Sequence, residues 1–389
     1  MTFLIVFLFW SSLFLVLYTY LGYPALIFLL AKTFPRSDGY SVDYPHLSFI
    51  IPAYNEEKYI SKKLDNTLSL DYPADKLQII VAADGSSDST PGIVETYREK
   101  GVELLYVPDR NGKMAAIIRA MQFSNGDIVV LSDANNMYDK QAIRELILPF
   151  SNPKVGATTG AKLIVEDGRE LSSAEGLYWK YESAIKESEC RVDSCVSSVG
   201  EILAIRKNAF IPPKGKIIND DQFIILDLLR RGYRVIYTPR ARSYEYVSLT
   251  ARDEVERRIR MNAGLFQTIS MSVTLLPLSR PFLVWQIISH KYSRAFVPFA
   301  LILLLLSNIF SLLFPLNNVL CQQIMWLFFW MQVVFYALAL IGGILKLKGV
   351  MGKLLYIPVF LVNSNYATLM GFHSFIANKQ MHVWNRVRR

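Results

Sequence analysis

The sequence predicts an α/β protein, with an open, mostly parallel sheet carrying helices on both faces, held between long uncharged segments. Three observations carry this reading. Short apolar runs alternate with helically patterned segments in a β-α-β-α-β-α-β order from Leu47 to Leu131. Polar and acidic residues follow the apolar runs at several strand ends. Met1 to Ala31, Ala295 to Leu345 and, with His373 neutral, Leu354 to Ala377 contain no charged residue, whereas the stretch between Lys32 and Arg280 has an ordinary mix. A chain of 389 residues has room for one sizeable domain plus membrane segments.

The elements follow in order. Residues 1–32 lack a basic leader and exceed a signal-peptide core in length, so they read as a retained transmembrane anchor. The soluble domain is expected over 45–270. Leu47 to Ile51 is a buried strand, and Glu57 to Leu70 has apolar residues at helical spacing. Leu77 to Ala82 is a second strand. Ser89 to Lys100 reads as a helix with Ser87 or Asp88 as cap candidates. Leu104 to Val107 is a strand, Lys113 to Phe123 a helix and Ile128 to Leu131 a fourth strand. Further on, Gly156 to Gly160, Ile202 to Ile205 and Arg234 to Tyr237 read as strands, and Glu175 to Glu187 as a helix. Asp220 or Asp221 is positioned to cap a helix to about Arg231 that Gly232 ends. "RDEVERRIRMNAG" is a strongly charged helix. Residues 271–294 suit an interfacial helix region. Residues 295–377 form a C-terminal membrane region: a hairpin, 295–314 and 322–345, broken at Pro315 to Asn318, then a third run, 354–376. That run either spans or lies against the others. A basic tail occupies 378–389.

Basic residues flank the spans: Lys32 and Arg36; Arg280, Lys291 and Arg294; Lys346, Lys348 and Lys353. All are cytoplasmic if the N-terminus lies outside and the middle domain inside. The basic tail shares that side only if 354–376 does not fully cross. The expected location is the cell inner (plasma) membrane, multi-pass, with a cytoplasmic middle domain. The net charge of +9 fits basic residues near anionic headgroups. Nucleic acid is not expected as a partner, because no nucleic-acid-binding signature occurs. The three cysteines make no framework, and Cys190 with Cys195 lacks a second ligand pair for zinc.

In open parallel sheets ligands bind beyond the carboxyl ends of the strands. Here "PAYNEE" brings Tyr54, Asn55, Glu56 and Glu57 to that edge, "ADGSSD" brings Asp84 and Asp88, and "SDANN" brings Asp133. One such tip is a turn or a helix cap; three on one edge suggest a site. Asp220-Asp221 reads either as a double helix cap or as a reactive carboxylate. Arg257, Arg258 and Arg260 read either as a solvated face paired with Glu254 and Glu256 or as phosphate contacts. Gly112-Lys113 at a helix start suits a phosphate.

"SFIIPAYNEE", "ADGSSDST", "NGKMAAI", "LSDANN", "NDDQ" and "ERRIRM" occur in this order over about residues 46–270. Together they resemble the family 2 glycosyltransferases, in particular the membrane-embedded group that includes cellulose, hyaluronan and poly-N-acetylglucosamine synthases. The resemblance implies a GT-A fold, a nucleotide-sugar donor, Mg²⁺ or Mn²⁺ as cofactor and an inverting mechanism. By motif it implies Tyr54 and Glu56 in a uridine pocket and Asp84 on the base or ribose. It implies Lys113 near the phosphates, Asp133 as metal ligand, Asp221 as catalytic base, and Arg257 with Arg260 on the nucleotide sugar. The chemistry has matching needs: cations for the leaving diphosphate and a carboxylate to take the acceptor proton. The expected function is sugar transfer from a UDP-sugar to a lipid-linked acceptor or growing glycan, with the bilayer, polysaccharide-synthesis proteins or further copies of the chain as partners. The alternative is a catalytically silent nucleotide-binding component of a polysaccharide synthesis or export complex. Asn135 departs from the second Asp of the family's Asp-x-Asp, and Arg257 and Met261 depart from the Gln and Trp of Gln-x-x-Arg-Trp. The missing Trp, with few spans to wall a channel, weighs against processive polymer synthesis.

Overall fold

The computed structural model describes residues 2–34, 39–41, 44–314, 316–345 and 349–378. Arg36, Pro315, Lys346, Lys348 and the basic tail beyond Asn378 lie outside the described residues. The helices are α1 (Thr2–Leu17), α2 (Tyr23–Thr33), α3 (Ile60–Leu68), α4 (Thr90–Glu95), α5 (Lys113–Phe123), α6 (Ala142–Ile147) and α7 (Glu170–Val192). Then come α8 (Asp220–Arg230), α9 (Ala251–Ser270), α10 (Ser272–Leu275), α11 (Pro281–Ile287), α12 (Ser293–Leu313), α13 (Val319–Leu345) and α14 (Gly349–Ile376). The strands are β1 (Leu47–Ala53), β2 (Leu77–Asp84), β3 (Val102–Val107), β4 (Ile128–Leu131), β5 (Met137–Tyr138), β6 (Val155–Ile164), β7 (Leu203–Arg206) and β8 (Arg234–Glu245).

They form one sheet in the order β3-β2-β1-β4-β7-β6-β8-β5. The β3-β2-β1-β4 half is parallel throughout, as the alternating pattern predicts. β7 runs antiparallel between β4 and β6, so the sheet is mixed. All seven residues of β1 are buried, the expected state of a strand covered on both faces. Its side chains alternate between two cores. Ile50, Ile80, Val129 and Leu131 pack against Ile117 of α5 and Ile225 of α8. Phe49, Ile51, Val81 and Val130 pack against Leu64 of α3, Val94 of α4 and Leu146 of α6.

Two cap expectations differ in detail. Ser89, not Ser87 or Asp88, precedes α4; Asp88 instead accepts from Thr90 N at 3.0 Å and from Glu57 N at 3.1 Å, tying two loops together. Asn219, not Asp220 or Asp221, is the N-cap of α8. Both aspartates fall in its first turn, where the helix dipole favours negative charge.

Among the described residues three helices are long and apolar enough to cross a membrane: Thr2–Thr33, Pro281–Leu313 and Val319–Leu345. The segment expected as a separate interfacial helix instead runs through a π-helical turn, Ile288–Tyr292, directly into α12. That continuity holds Lys291 and Arg294 against Glu182 of α7. α14 is not among the three. It packs along α9, with Ser364 accepting from Arg258 at 3.1 Å and Phe372 meeting Phe266 at a centroid distance of 4.9 Å.

Candidate functional site

The carboxyl ends of β1 and β4 open onto one cavity of about 340 Å³. Tyr54, Glu56, Lys113, Asp133, Asp221, Arg257 and Arg260 all line it, so residues scattered over 207 positions of sequence share one space. Asp84 lies beside it, lining a small adjoining pocket with Tyr54, Arg110 and Gly112.

Local sequence explains each position. The β1 and β2 loops are stitched together: Asn55, at φ 55°, accepts from Ser87 N at 2.8 Å, and Glu56 N donates to Thr90 Oγ1 at 2.7 Å. Asp84 ends β2, and its Oδ2 accepts from the backbone N–H groups of Asn111 at 2.8 Å and Gly112 at 2.7 Å. It therefore builds the turn that starts α5 and fixes where Lys113 begins. Gly85 (φ 69°) passes so close to Arg110 that a Cβ would meet its backbone at 2.9 Å. This lets the Arg110 guanidinium stack 3.7 Å from the Tyr54 ring centroid.

Lys113 is the hub. Its Nζ lies 2.8 Å from Asp133 Oδ1 and 3.4 Å from Asp220 Oδ2. Burial works to lower this ammonium, but Asp133 and Asp220 outweigh it and hold it above lysine's ordinary value. Burial raises the Asp220 carboxyl, against the pull of Lys113. Asp221 faces the cavity one residue on, its Oδ2 accepting from Ser198 Oγ at 3.0 Å. Gly200 packs against it: a Cβ there would sit 3.2 Å from Asp221 Cβ.

α9 brings the arginines. Gly264 admits Asn219 so closely that a Cβ would lie 2.4 Å from its side chain, and Asn219 Nδ2 donates to Met261 O at 2.8 Å. This contact docks α9 on the start of α8. Arg260 consequently feels Asp220, Asp133 and Asp221 together; burial and Arg257 still leave its guanidinium below its ordinary value. Arg257 is held by Glu254 at 2.6 Å, and Arg258 by Glu175 at 2.5 Å and Glu254 at 3.0 Å. Burial opposes ionisation of Glu254, but Arg257 and Arg258 pull it down to about 2.

Asn135 has a physical reason to be neutral. Its Nδ2 donates to Glu245 Oε1 at 3.1 Å. Glu245 and Glu201 both pair with buried Lys162, the latter at 2.6 Å. A carboxylate at 135 would face Glu245 directly.

Among the described residues there is no cluster of three His, Cys, Asp or Glu side chains fit to hold a metal alone. The donor set fits a different mode. Asp133 is about a third exposed, faces the cavity and already neutralises a cation, Lys113. One carboxylate of this kind, with diphosphate oxygens and waters, suffices for a Mg²⁺-type ion.

Several cavity residues were not legible from the motifs: Tyr178, Trp179, Glu182, Lys291 and Arg294. One signal was present. Glu175, Glu182 and Glu189 recur every seven residues along α7, on one face, and all three are essentially buried. Buried carboxylates at that spacing call for cations from elsewhere in the chain, here Arg258, Lys291 and Arg294.

Comparison with known proteins agrees with this geometry. Residues 48–208 match the family model described as "Glycosyl transferase family 2". The chain is 28% identical over 225 residues to "Probable glycosyltransferase YdaM" of Bacillus subtilis, covering 52% of this chain and 51% of that protein. It is 27% identical over 226 residues to "Poly-beta-1,6-N-acetyl-D-glucosamine synthase" of Staphylococcus aureus, covering 56% of this chain and 54% of that one. The chain thus spans about half the length of the curated relatives it matches. A solved mannosyltransferase from Pyrobaculum calidifontis, in complex with GDP-Man and Mn²⁺, superposes with a TM-score of 0.71 over 96% of this chain and 100% of its own, at 21% identity. The fold is shared across that whole length. Residues 48–208 thus carry the sequence pattern of a glycosyl transferase family 2 domain, set on a GT-A fold.

Proposed function

We propose that the protein is an inverting glycosyltransferase that moves a sugar from a nucleotide-sugar, in our reading a UDP-sugar, to a lipid-linked or growing-glycan acceptor. The reading includes a multi-pass protein of the plasma membrane with its catalytic domain on the cytoplasmic side. It is supported by the three apolar helices and by Lys32, Arg280, Lys291, Arg294 and Lys353 beside them. The observation that supports the function is the presence, in one cavity, of the Lys113–Asp133 pair and Asp221.

The chemistry follows from these groups. Tyr54 and Arg110 offer stacking surfaces for the base. Lys113 and Arg260 face the leaving diphosphate and stabilise the charge that develops on it. Asp133 would hold Mg²⁺ or Mn²⁺, which when bound supplies further neutralisation of the diphosphate. The acceptor hydroxyl oxygen attacks the anomeric carbon, the bond from that carbon to the phosphate oxygen breaks, and the nucleoside diphosphate departs with the electron pair. Asp221 takes the hydroxyl proton, oriented by Ser198. Attack from the side opposite the leaving group inverts the anomeric centre.

The test is turnover by the full-length protein in detergent over a panel of UDP- and GDP-sugars. The reading expects metal-dependent release of one nucleoside diphosphate from one donor. Nucleotide binding without any turnover over the whole panel would favour a catalytically silent component instead.

A further inference from the structure

The cavity has a second end that the donor chemistry does not use. It lies where α7 meets the 281–313 helix and is lined by Trp179, Glu182, Ser197, Lys291 and Arg294. Arg294 Nη1 pairs with Glu182, yet its Nε–H is buried with no hydrogen-bond partner among the described residues. The indole N–H of Trp179 and the hydroxyl of Ser197 are likewise buried and without a partner among those residues. Lys291 Nζ comes no closer than 3.8 Å to Glu182, beyond hydrogen-bond distance. Glu182 already serves Arg294 and His290, the latter at 3.3 Å. One committed carboxylate therefore faces two cations, and two further unpartnered donors line the same cavity. Buried donors left without acceptors are costly, and several at one end of one cavity call for a ligand rich in acceptor oxygens.

Depth indicates which ligand. Arg294 is the last charged residue before the uncharged run 295–345. Beside it Trp285 Nε1 donates to Tyr18 Oη at 2.8 Å, and Tyr18 meets Ser289 at 2.8 Å, an aromatic pair of the kind found at headgroup level. We propose that this end is a subsite for the phosphate of a lipid-linked acceptor, so that the acceptor is a glycan joined to its lipid through phosphate. The inference rests on the transferase reading. The phosphate anchors the acceptor at Lys291, Arg294 and Trp179, and the attacking hydroxyl belongs to the sugar beyond it, toward Asp221.

The test measures binding of dodecyl phosphate, dodecanol and inorganic phosphate to the full-length protein in a neutral detergent. Dodecyl phosphate is expected to bind in a salt-sensitive way, and both controls at least tenfold more weakly. Lys291→Gln should weaken dodecyl phosphate about tenfold or more, the scale of a lost charge-assisted hydrogen bond. Trp179→Phe, which keeps an aromatic side chain but removes the N–H donor along with part of the ring, should weaken it several-fold. Unfolding midpoint and UDP binding report that each variant is folded. Binding within twofold of wild type in both variants would overturn the subsite. Equal binding of dodecanol would overturn the phosphate, and equal binding of inorganic phosphate would overturn the lipid source. A wild-type protein that binds dodecyl phosphate but turns over no nucleotide-sugar would support the anion site while refuting the transferase reading.

Discussion

Two lysine-centred triads lie along one cavity, with the same charge composition and different surroundings. Lys113 joins Asp133 and Asp220 with side chains 16%, 35% and 12% exposed. Lys162 joins Glu201 and Glu245 at 4%, 5% and 4%. The first opens on the cavity, so its ammonium can exchange a carboxylate for a ligand phosphate. The second reaches the same cavity wall through Lys162 and Glu201 but is almost wholly buried, and it is further tied by Ser243 to Glu201 at 3.1 Å and by Asn135 to Glu245. Exposure, rather than residue type, separates a binding group from a structural one. The buried triad holds the "SDANN" turn through Asn135, two residues from Asp133 of the more exposed triad.

The comparison can be broken from either side. The largest stability effect is expected for Lys162→Met, which strands two buried carboxylates; a loss of about 3–5 kcal/mol is expected in denaturant unfolding. Lys113→Met is its mirror. It should lower turnover roughly a hundredfold while costing less stability than Lys162→Met, because Asp133, about a third exposed, can still reach water. A large loss of stability here, with turnover retained, would erase the distinction between the triads. Asn135→Asp sharpens it: a new carboxylate replaces an amide 3.1 Å from Glu245 Oε1. A loss of about 1–3 kcal/mol is expected, visible as a lowered unfolding midpoint. The smallest effect concerns Lys63, buried behind the turn and donating to Asn136 O at 2.8 Å. Burial lowers it to about 7, against the pull of Asp133 and Glu201. The unfolded chain, with lysine near about 10.4, then binds more protons between the two values. Stability should therefore rise with pH above about 7, by about 1 kcal/mol from pH 7.5 to 8.5, and the penalty is fully present below about 7. Lys63→Met should flatten that slope; an unchanged slope would contradict the assignment.

Much of the donor half was legible because its physics is local. Parallel strands read as apolar runs, and their carboxyl ends carry Tyr54, Glu56, Asp84 and Asp133 on one edge. The half where α7 meets the 281–313 helix was not, because its logic is long-range. Glu182 makes sense only with Arg294, 112 positions on, and Arg258 only with Glu175, 83 positions back. The antiparallel β7 insertion and the unbroken passage from α11 into α12 depend on packing that periodicity does not report. Asp84 illustrates the limit within the legible half. Its place on the edge is readable, but its bonds to Asn111 and Gly112, which build the turn before Lys113, are not.

The central claim is that Asp221 removes the acceptor proton in a site whose donor end is built by Lys113 and Asp133. The direct measurement is the rate of sugar transfer by Asp221→Asn at saturating donor, alongside the affinity of the same preparation for the nucleoside diphosphate. The account predicts a fall of about 10²–10⁴-fold in transfer with nucleotide affinity nearly unchanged. Full transfer activity in Asp221→Asn would contradict it.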